Sequence, residues 1–322
     1  MPAHTHASTP RALVIVNLGT PAAPTAEAVR TYLREFLTDK RVVQIPHFIW
    51  KPLLNWLILP RRSPAVAEKY AEIWMPEGSP LLAYGLRLAA VMNARLTGWQ
   101  VRAAMRYGEP ALTRVVQSLH EEGHTDITLL PLYPQYSTTT TGSVEDAVAA
   151  LQARFADTRL RLIHDYHQHP AWAAAIAQSI RQHWATHGRG EKLLFSYHGI
   201  PERLVRAGDP YAAQCEASTA AIAAALGIGR DEILLTYQSR FGRERWLQPY
   251  TLPTLEQLGR EGVKQVDIIC PGFAVDCLET LEEITLQNAE AFRAAGGAEL
   301  RYIPCLNDST AHADALAALL PS

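Results

Sequence analysis

One histidine and a group of acidic residues are the side chains in this sequence best suited to chemistry. His198 follows the apolar residues 193–195 and precedes Gly199, and Pro201 stops any continuation of a strand. Open α/β sheets bind their ligands at the carboxyl ends of the strands. The position of His198 therefore predicts a ligand-facing strand end, although a satisfied loop histidine is the simpler interpretation of this residue alone.

A second segment supplies acids that could face His198. Asp276 is predicted to cap a helix that begins after another strand. At about 100° per residue, one face of that helix carries Glu279, Glu283 and Glu290. A solvated helix face is the alternative, because most charged residues are exposed. An imidazole and a carboxylate facing each other across a cleft would form a nitrogen and oxygen site for a divalent metal, and so few ligands predict a metal that is passed on.

Two further groups of polar or aromatic residues lie at predicted strand ends. Residues 135–143 form a hydroxyl-rich loop that could bind an anion or could simply cap a helix. Aromatic and basic side chains would suit a flat ligand that carries carboxylates, provided that the fold brings them together. This second group consists of Arg106, Tyr107, Tyr211, Arg240, Arg243 and Trp246.

The overall composition excludes several classes of protein. A formal net charge of −2 gives no reason to expect a nucleic-acid partner. The 4 cysteines contain no C-x-x-C pair, which argues against a disulfide framework and a structural zinc site. The first residues lack the apolar core of a secretory signal, and no apolar run reaches the length of a membrane span. We therefore expect a cytoplasmic protein.

Alternating strand and helix patterns position these groups. Strand-like apolar runs fall at 13–18, 100–106, 127–133, 159–164, 192–197, 232–237, 266–271 and 299–304. The residues that follow the strands also match in pairs: 17–19 resemble 197–199, and 106–108 resemble 237–239. The pattern predicts an α/β fold of two similar Rossmann-like domains, each with a doubly wound parallel sheet, and an active-site cleft between their strand ends.

The first predicted domain consists of two segments of the chain, and the second consists of one. Residues 11–165 with a returning helix in 308–322 form the first domain, and residues 166–307 form the second. The first domain contains an unusually apolar segment, residues 46–63, which we call the apolar lip. It is either a core helix, a lip over a pocket or a membrane-surface contact.

Six stretches of the sequence together resemble the ferrochelatase family, in particular its members from Gram-negative bacteria. They occur in the right order between about residues 12 and 307, at 17–46, 77–82, 131–143, 196–211, 237–251 and 270–284. The resemblance implies a chelatase-like fold of two Rossmann-like domains. It also implies a lyase, a metal chelatase that inserts Fe²⁺ into protoporphyrin IX in the last step of haem biosynthesis.

The resemblance assigns roles to the acids and the histidine. His198 matches the family's invariant histidine and Glu279 its facing glutamate, the pair assigned to the metal. His198 would accept a pyrrole proton, bind iron, or do both in succession. Asp276 and Glu283 match acids that line the same side, and Glu283 would relay a proton.

The resemblance also assigns residues to the porphyrin. Tyr211 and Trp246 match aromatic residues of its pocket, and Leu18 lies where other branches place Met or Tyr beneath the ring. Positions that meet the propionates and the lip are matched by Arg62, Tyr70 and Ser79.

The expected ligands are the substrates protoporphyrin IX and Fe²⁺, with no tightly bound cofactor. Animal ferrochelatases bind an iron–sulfur cluster through a cysteine-rich C-terminal extension, whereas only Cys-free residues follow Cys305 here, so no such cluster is predicted. A monomer is favoured, and a peripheral contact of the apolar lip with the inner face of the membrane stays open. The alternatives are a chelatase for coproporphyrin III or sirohydrochlorin, and a tetrapyrrole or metal carrier without turnover.

Overall fold

The computed structural model describes residues 11–321, so the first ten residues lie outside the described range. The chain forms a strand at each of the eight predicted places. The strands are β1 (Arg11–Gly19), β2 (Trp99–Tyr107), β3 (Asp126–Pro131), β4 (Arg159–Leu162), β5 (Lys192–His198), β6 (Ile233–Gln238), β7 (Gln265–Ile269) and β8 (Glu299–Ile303). The prediction succeeds because the central strands are buried on both faces: in β1, Leu13 and Ile15 enter one core, and Val14 and Val16 enter another.

The strands form two parallel sheets with equivalent strand orders. The first sheet has the order β2-β1-β3-β4 and the second has the order β6-β5-β7-β8. All pairings within them are parallel. The predicted α/β fold with two Rossmann-like sheets is therefore confirmed.

The register of the sheets corrects the predicted match between the two halves by one residue. Met105 and Tyr237 are equivalent, because each pairs with the matching residue of its central strand and donates its N–H to a proline carbonyl, at 2.7 and 2.8 Å. Tyr107 is therefore the equivalent of Ser239, whereas the sequence match favours Gly108. Tyr107 is the last residue of β2, whereas Ser239 follows the last residue of β6.

Helices connect the strands and cover the sheets. They are α1 (Ala26–Thr38), α2 (His47–Leu53), α3 (Leu59–Ile73), α4 (Pro80–Arg95), α5 (Leu112–Glu121), α6 (Thr141–Arg154), α7 (Pro170–His187), α8 (Glu202–Arg206), α9 (Tyr211–Leu226), α10 (Thr251–Arg260), α11 (Leu278–Leu281), α12 (Ala289–Ala294) and α13 (Thr310–Ala317). Two π-helical turns, Leu54–Ile58 and Glu283–Asn288, join α2 to α3 and α11 to α12. Helix α1 begins after Thr25, whose hydroxyl accepts the N–H of Ala28.

The apolar lip is partly core and partly surface. Trp50, Leu54 and Leu59 are buried. Phe48 and Trp56 are 80% and 84% exposed. The core-helix interpretation is therefore correct for one face of the segment, and the lip and membrane-contact interpretations of the exposed face stay predictions.

The two halves share one hydrophobic core. Leu13 of the first sheet and Phe195 of the second belong to the same cluster of buried side chains. The C-terminal helix α13 packs against α4 and α7, and Arg95 of α4 forms an ion pair with Asp314 at 2.6 Å. The domain boundary proposed between residues 165 and 166 stays a prediction. Within residues 11–321, no helix combines the length and apolarity that a membrane span requires.

Candidate functional site

His198 is the last residue of β5 and is half-buried. Its Nδ1 lies 2.7 Å from the carbonyl oxygen of Gly199. A carbonyl oxygen can only accept, so Nδ1 carries the proton and Nε2 is left as the basic nitrogen of the neutral ring. The rings of Trp246 and Phe273 flank the imidazole at centroid distances of 6.3 and 6.4 Å. The site thus presents a basic nitrogen between aromatic side chains.

A short antiparallel contact fixes Trp246 beside His198. Pro201 and Trp246 form an isolated bridge, and the N–H of Glu202 donates to the carbonyl of Arg245 at 3.0 Å. Space at residue 199 is tight, because an added Cβ would lie 3.0 Å from a backbone oxygen and 3.2 Å from the Trp246 ring. The glycine that follows the histidine therefore favours the close approach of these two loops.

The acidic segment is not the continuous α-helix that the sequence predicts. After α11, the N–H of Gln287 donates to the carbonyl of Glu282, five residues earlier, at 3.1 Å. This π-helical turn changes the angle between successive residues, so the prediction of one common face for three glutamates is wrong. Glu290 is exposed, whereas Glu279 and Glu283 are partly buried and influence each other electrostatically.

Glu283 is held by the residue that follows β6. Its two carboxylate oxygens accept from Ser239, one from the backbone N–H at 2.7 Å and one from the hydroxyl. Burial raises the pKa of Glu283, the Ser239 donors and the charge of His198 oppose the rise, and Glu279 adds to it. The pKa of Glu283 therefore lies above its usual value, and it depends on the charge of His198.

Glu279 faces residues of the first half of the chain. The side-chain amide of Gln238 donates to its backbone carbonyl at 2.6 Å. Burial, and then the charge of Glu279, raise the pKa of Tyr70. Burial lowers the pKa of Arg62, and the charge of Glu279 opposes that effect. Glu279 thus lies where the second half meets α3, with its backbone held by the last residue of β6.

Asp276 is occupied by internal contacts. Its carboxylate accepts from the hydroxyls of Thr280 and Tyr302 and from the amide of Asn307, the last at 2.6 Å. The predicted helix cap is wrong, because Cys277 is the N-cap of α11. Asp276 instead ties the start of α11 to the residues that follow β8.

The residues matched to the porphyrin and its propionates lie in different environments. Leu18 packs with Tyr70 and with Leu278 in one apolar cluster at the lip. Arg62 stacks on Phe241 of the second half, with its guanidinium carbon 4.5 Å from the ring centre. The hydroxyl of Ser79 is not free, since this buried residue caps α4 by accepting the N–H of Leu82.

The predicted cluster of aromatic and basic residues does not form. The Arg106 guanidinium and the Tyr107 hydroxyl both donate to Asp39, at 3.0 and 2.6 Å, in a network of the first half. Tyr211 is buried in the core next to Cys215, and Arg240 lies over the ring of Tyr250. Arg243 makes no ion pair with any described residue. Of this group Trp246 is the member whose ring lies beside His198, whereas the others have partners elsewhere or, for Arg243, no ion pair among the described residues.

The hydroxyl-rich loop binds an anion of the protein itself. Asp209 accepts from the hydroxyl of Ser137 at 2.9 Å and from the N–H and hydroxyl of Thr138 at 2.8 and 2.7 Å. The side chains of Gln135 and Gln214 add further bonds between this loop and α9. The loop therefore joins the two halves, and the predicted external anion is replaced by a carboxylate 71 to 72 residues along the chain.

Sequence reasoning missed the polar contacts that support the site. Gln238 and Ser239 hold Glu279 and Glu283, and the only signal was their position at a strand end in the same ring as His198. Lys69 of α3 pairs with the buried carboxylate of Glu282 at 3.1 Å, which no spacing rule predicts. In the described residues no group of three or more His, Cys, Asp or Glu side chains is placed to hold a metal ion.

The sequence and the fold both resemble those of known proteins. The ferrochelatase family model matches residues 10–322. A ferrochelatase of Xanthomonas axonopodis pv. citri is 58% identical over 308 residues, which cover 96% of each protein. A ferrochelatase of Vibrio cholerae is 50% identical over 309 residues, again 96% of each. Among solved structures, SirB from Bacillus subtilis with Fe³⁺ has a TM-score of 0.54 at 11% identity, covering 95% of this chain and 92% of that one. That similarity supports the fold alone.

Proposed function

The chain belongs to the ferrochelatase family, which inserts Fe²⁺ into protoporphyrin for haem synthesis, and we propose that His198, Glu279 and Glu283 carry out that reaction. The chain is accordingly a metal chelatase enzyme with protoporphyrin and iron as substrates. The observation that carries the residue assignment is the fixed tautomer of His198, whose Nδ1 donates to the Gly199 carbonyl and leaves Nε2 basic.

Insertion of Fe²⁺ releases two pyrrole protons, and the proposed site offers two acceptors for them. Nε2 of His198 takes a proton from the macrocycle, since the basic nitrogen of a neutral imidazole is a proton acceptor. Glu283 interacts electrostatically with His198, and burial raises its pKa, so its carboxylate is a better proton acceptor than an exposed one. In this scheme the proton passes from His198 towards Glu283 and then to solvent.

Glu279 is proposed as the carboxylate that meets the incoming iron. A carboxylate and an imidazole are suitable ligands for a divalent ion that must lose its waters before it enters the ring. Asp276 then has a supporting role, because its oxygens already accept three side-chain donors and it lies directly before α11. This assignment moves Asp276 from the predicted catalytic group to the residues that position Glu279.

The apolar walls of the site suit a flat macrocycle. Leu18 and Leu278 lie in the lip cluster, while Trp246 and Phe273 flank His198. Binding a bent porphyrin would favour metalation, because bending exposes the pyrrole nitrogens as the transition state requires. Arg62 is the proposed partner for a propionate: within the described residues it makes a ring contact but no ion pair.

We also propose that no cofactor is tightly bound and that the enzyme acts as a monomer in the cytoplasm. The 4 cysteines are free and buried, which disfavours an iron–sulfur cluster of the kind that an exposed cysteine-rich extension binds. The exposed aromatic residues of the apolar lip support a peripheral contact with the membrane surface.

A metalation assay tests the residue assignment. Wild-type protein, His198→Ala and Glu279→Gln would be mixed with Fe²⁺ and protoporphyrin IX without oxygen, and loss of the free-base porphyrin spectrum would be followed over several turnovers. We expect His198→Ala and Glu279→Gln to lose at least about 100-fold in kcat, the scale of general acid–base catalysis. Glu290→Gln is the matched control, because Glu290 is an exposed acid of the same segment and should leave kcat unchanged. Retained turnover in His198→Ala with an intact fold would remove His198 from the chemistry, and stoichiometric binding without turnover by wild type would indicate a carrier.

A further inference from the structure

Ser239 has a backbone conformation that is unusual for its residue type. Its φ is +64°, and Asn307 is the one other non-glycine residue with positive φ in the described range. The left-handed conformation costs a residue with a side chain about 1 kcal/mol or more, which is why glycine usually occupies such positions. A serine at this place therefore raises the question of what its side chain contacts.

The internal repeat of the fold shows that the conformation is local to the second half. Tyr107, the equivalent of Ser239, continues its strand and pairs with Gly19. In the second half the strand pairing ends at Gln238, and Ser239 turns away from it. The departure from the repeat occurs at a strand end whose next residue contacts the acidic segment.

This turn aims both donors of Ser239 at one carboxylate. Its backbone N–H donates to one oxygen of Glu283 at 2.7 Å, and its hydroxyl donates to the other. The preceding residue is fixed on both sides: Gln238 accepts the N–H of Gly199 at 2.9 Å on its backbone and donates to the carbonyl of Glu279 at 2.6 Å from its side chain. Gln238 and Ser239 thus bond to the backbone beside His198, to the backbone of Glu279 and to the carboxylate of Glu283.

We propose that Ser239 is a positioning residue that holds the Glu283 carboxylate towards His198, and that its left-handed backbone is retained for this purpose. This inference rests on the proposed function, because it acts through Glu283. Without the hydroxyl, one carboxylate oxygen loses its donor and the side chain can rotate away from the proton path. Removing a group that orients a functional ligand typically costs 10–100-fold in activity.

Ser239→Gly separates a positioning role from a structural one. Glycine accepts a positive φ without strain, which offsets part of the loss of the hydroxyl–carboxylate hydrogen bond, so the melting temperature should fall less than in Ser239→Ala. We expect kcat for metalation to fall about 10-fold, while KM for porphyrin stays within about 2-fold, because neither substrate is predicted to touch Ser239. Ser239→Ala, which keeps the strain and loses the hydroxyl, should show the same loss in kcat with a lower melting temperature. A kcat for Ser239→Gly within 2-fold of wild type would overturn the proposal.

A double-mutant cycle tests whether Ser239 acts through Glu283. In the Glu283→Gln background, Ser239→Gly should cause no further loss of kcat, because the carboxylate that it orients is already gone. A further 10-fold loss there would contradict the proposal, since Ser239 would then act by another route. The proposed function fails on a different result. Wild-type turnover in His198→Ala or in Glu283→Gln would contradict it, whereas the Ser239 proposal fails when those variants are impaired and Ser239→Gly is not.

Discussion

Asp209→Asn is the substitution that best tests how the two halves are joined. Asp209 is 5% exposed and has no cationic partner within the described residues. One of its oxygens faces the N–H of Thr138 at 2.8 Å, and the other faces the N–H of Tyr211 at 3.0 Å. Hydroxyl groups around it can rotate to accommodate a change, but these two backbone donors cannot.

The expected loss of stability follows from this geometry. Asparagine has the same shape, yet either orientation of its amide places an NH₂ group against one of the two fixed N–H groups. The substitution also removes the charge that the remaining donors stabilise. A hydrogen bond to a charged group contributes about 1.5–3 kcal/mol, so we expect a net loss of about 3 kcal/mol. For 322 residues, an unfolding entropy of about 2.1 cal/mol/K per residue converts this loss to about 4 °C in melting temperature.

Differential scanning calorimetry of wild type and Asp209→Asn at the same protein concentration and pH measures this change. Asp314→Asn is the matched control, because Asp314 is a surface carboxylate paired with Arg95. Exposed pairs contribute less than about 1 kcal/mol, so the control should shift by no more than about 1.5 °C. A shift as small for Asp209→Asn as for the control would refute the argument that this buried carboxylate holds the halves together.

Three further predictions concern pH and the surface. Because the pKa of Glu283 is raised, kcat should fall on the acidic side at a pH above the ordinary glutamate range, and Glu283→Gln should flatten that limb of the pH–rate profile. Burial lowers the pKa of His312 to about 4, so between about pH 6.5 and pH 4 the folded chain binds fewer protons than the unfolded chain. The free energy of unfolding should therefore fall as pH decreases through that window. Urea titrations at several pH values should show a weaker dependence of the free energy of unfolding on pH in His312→Gln than in wild type. The double variant with Phe48→Ser and Trp56→Ser should sediment less with anionic vesicles than wild type. Its free energy of unfolding should change by less than about 1 kcal/mol, because both side chains are largely exposed. Equal vesicle binding by variant and wild type would argue against the membrane contact.

The strands and most helices could be predicted from the sequence because their signals are local. A buried parallel strand needs a short apolar run, as in β1 and β5, and a helix start needs a capping residue such as Thr25. The same locality explains two errors. The spacing of the acids does not indicate the π-helical turn after α11. The one-residue shift that makes Tyr107 the equivalent of Ser239 depends on sheet register.

The sequence by itself determined the fold class, the repeated halves, the family and the location of His198 at a strand end. Only the tertiary structure decided which partners the polar groups have: Asp39 for Arg106, Asp209 for the hydroxyl-rich loop, and Ser239 for Glu283. Apolar runs report burial within a few residues, whereas these polar partners are 44 to 71 residues apart along the chain. Such pairings are set by how two sheets dock and how loops turn, and no periodicity in the sequence records that geometry.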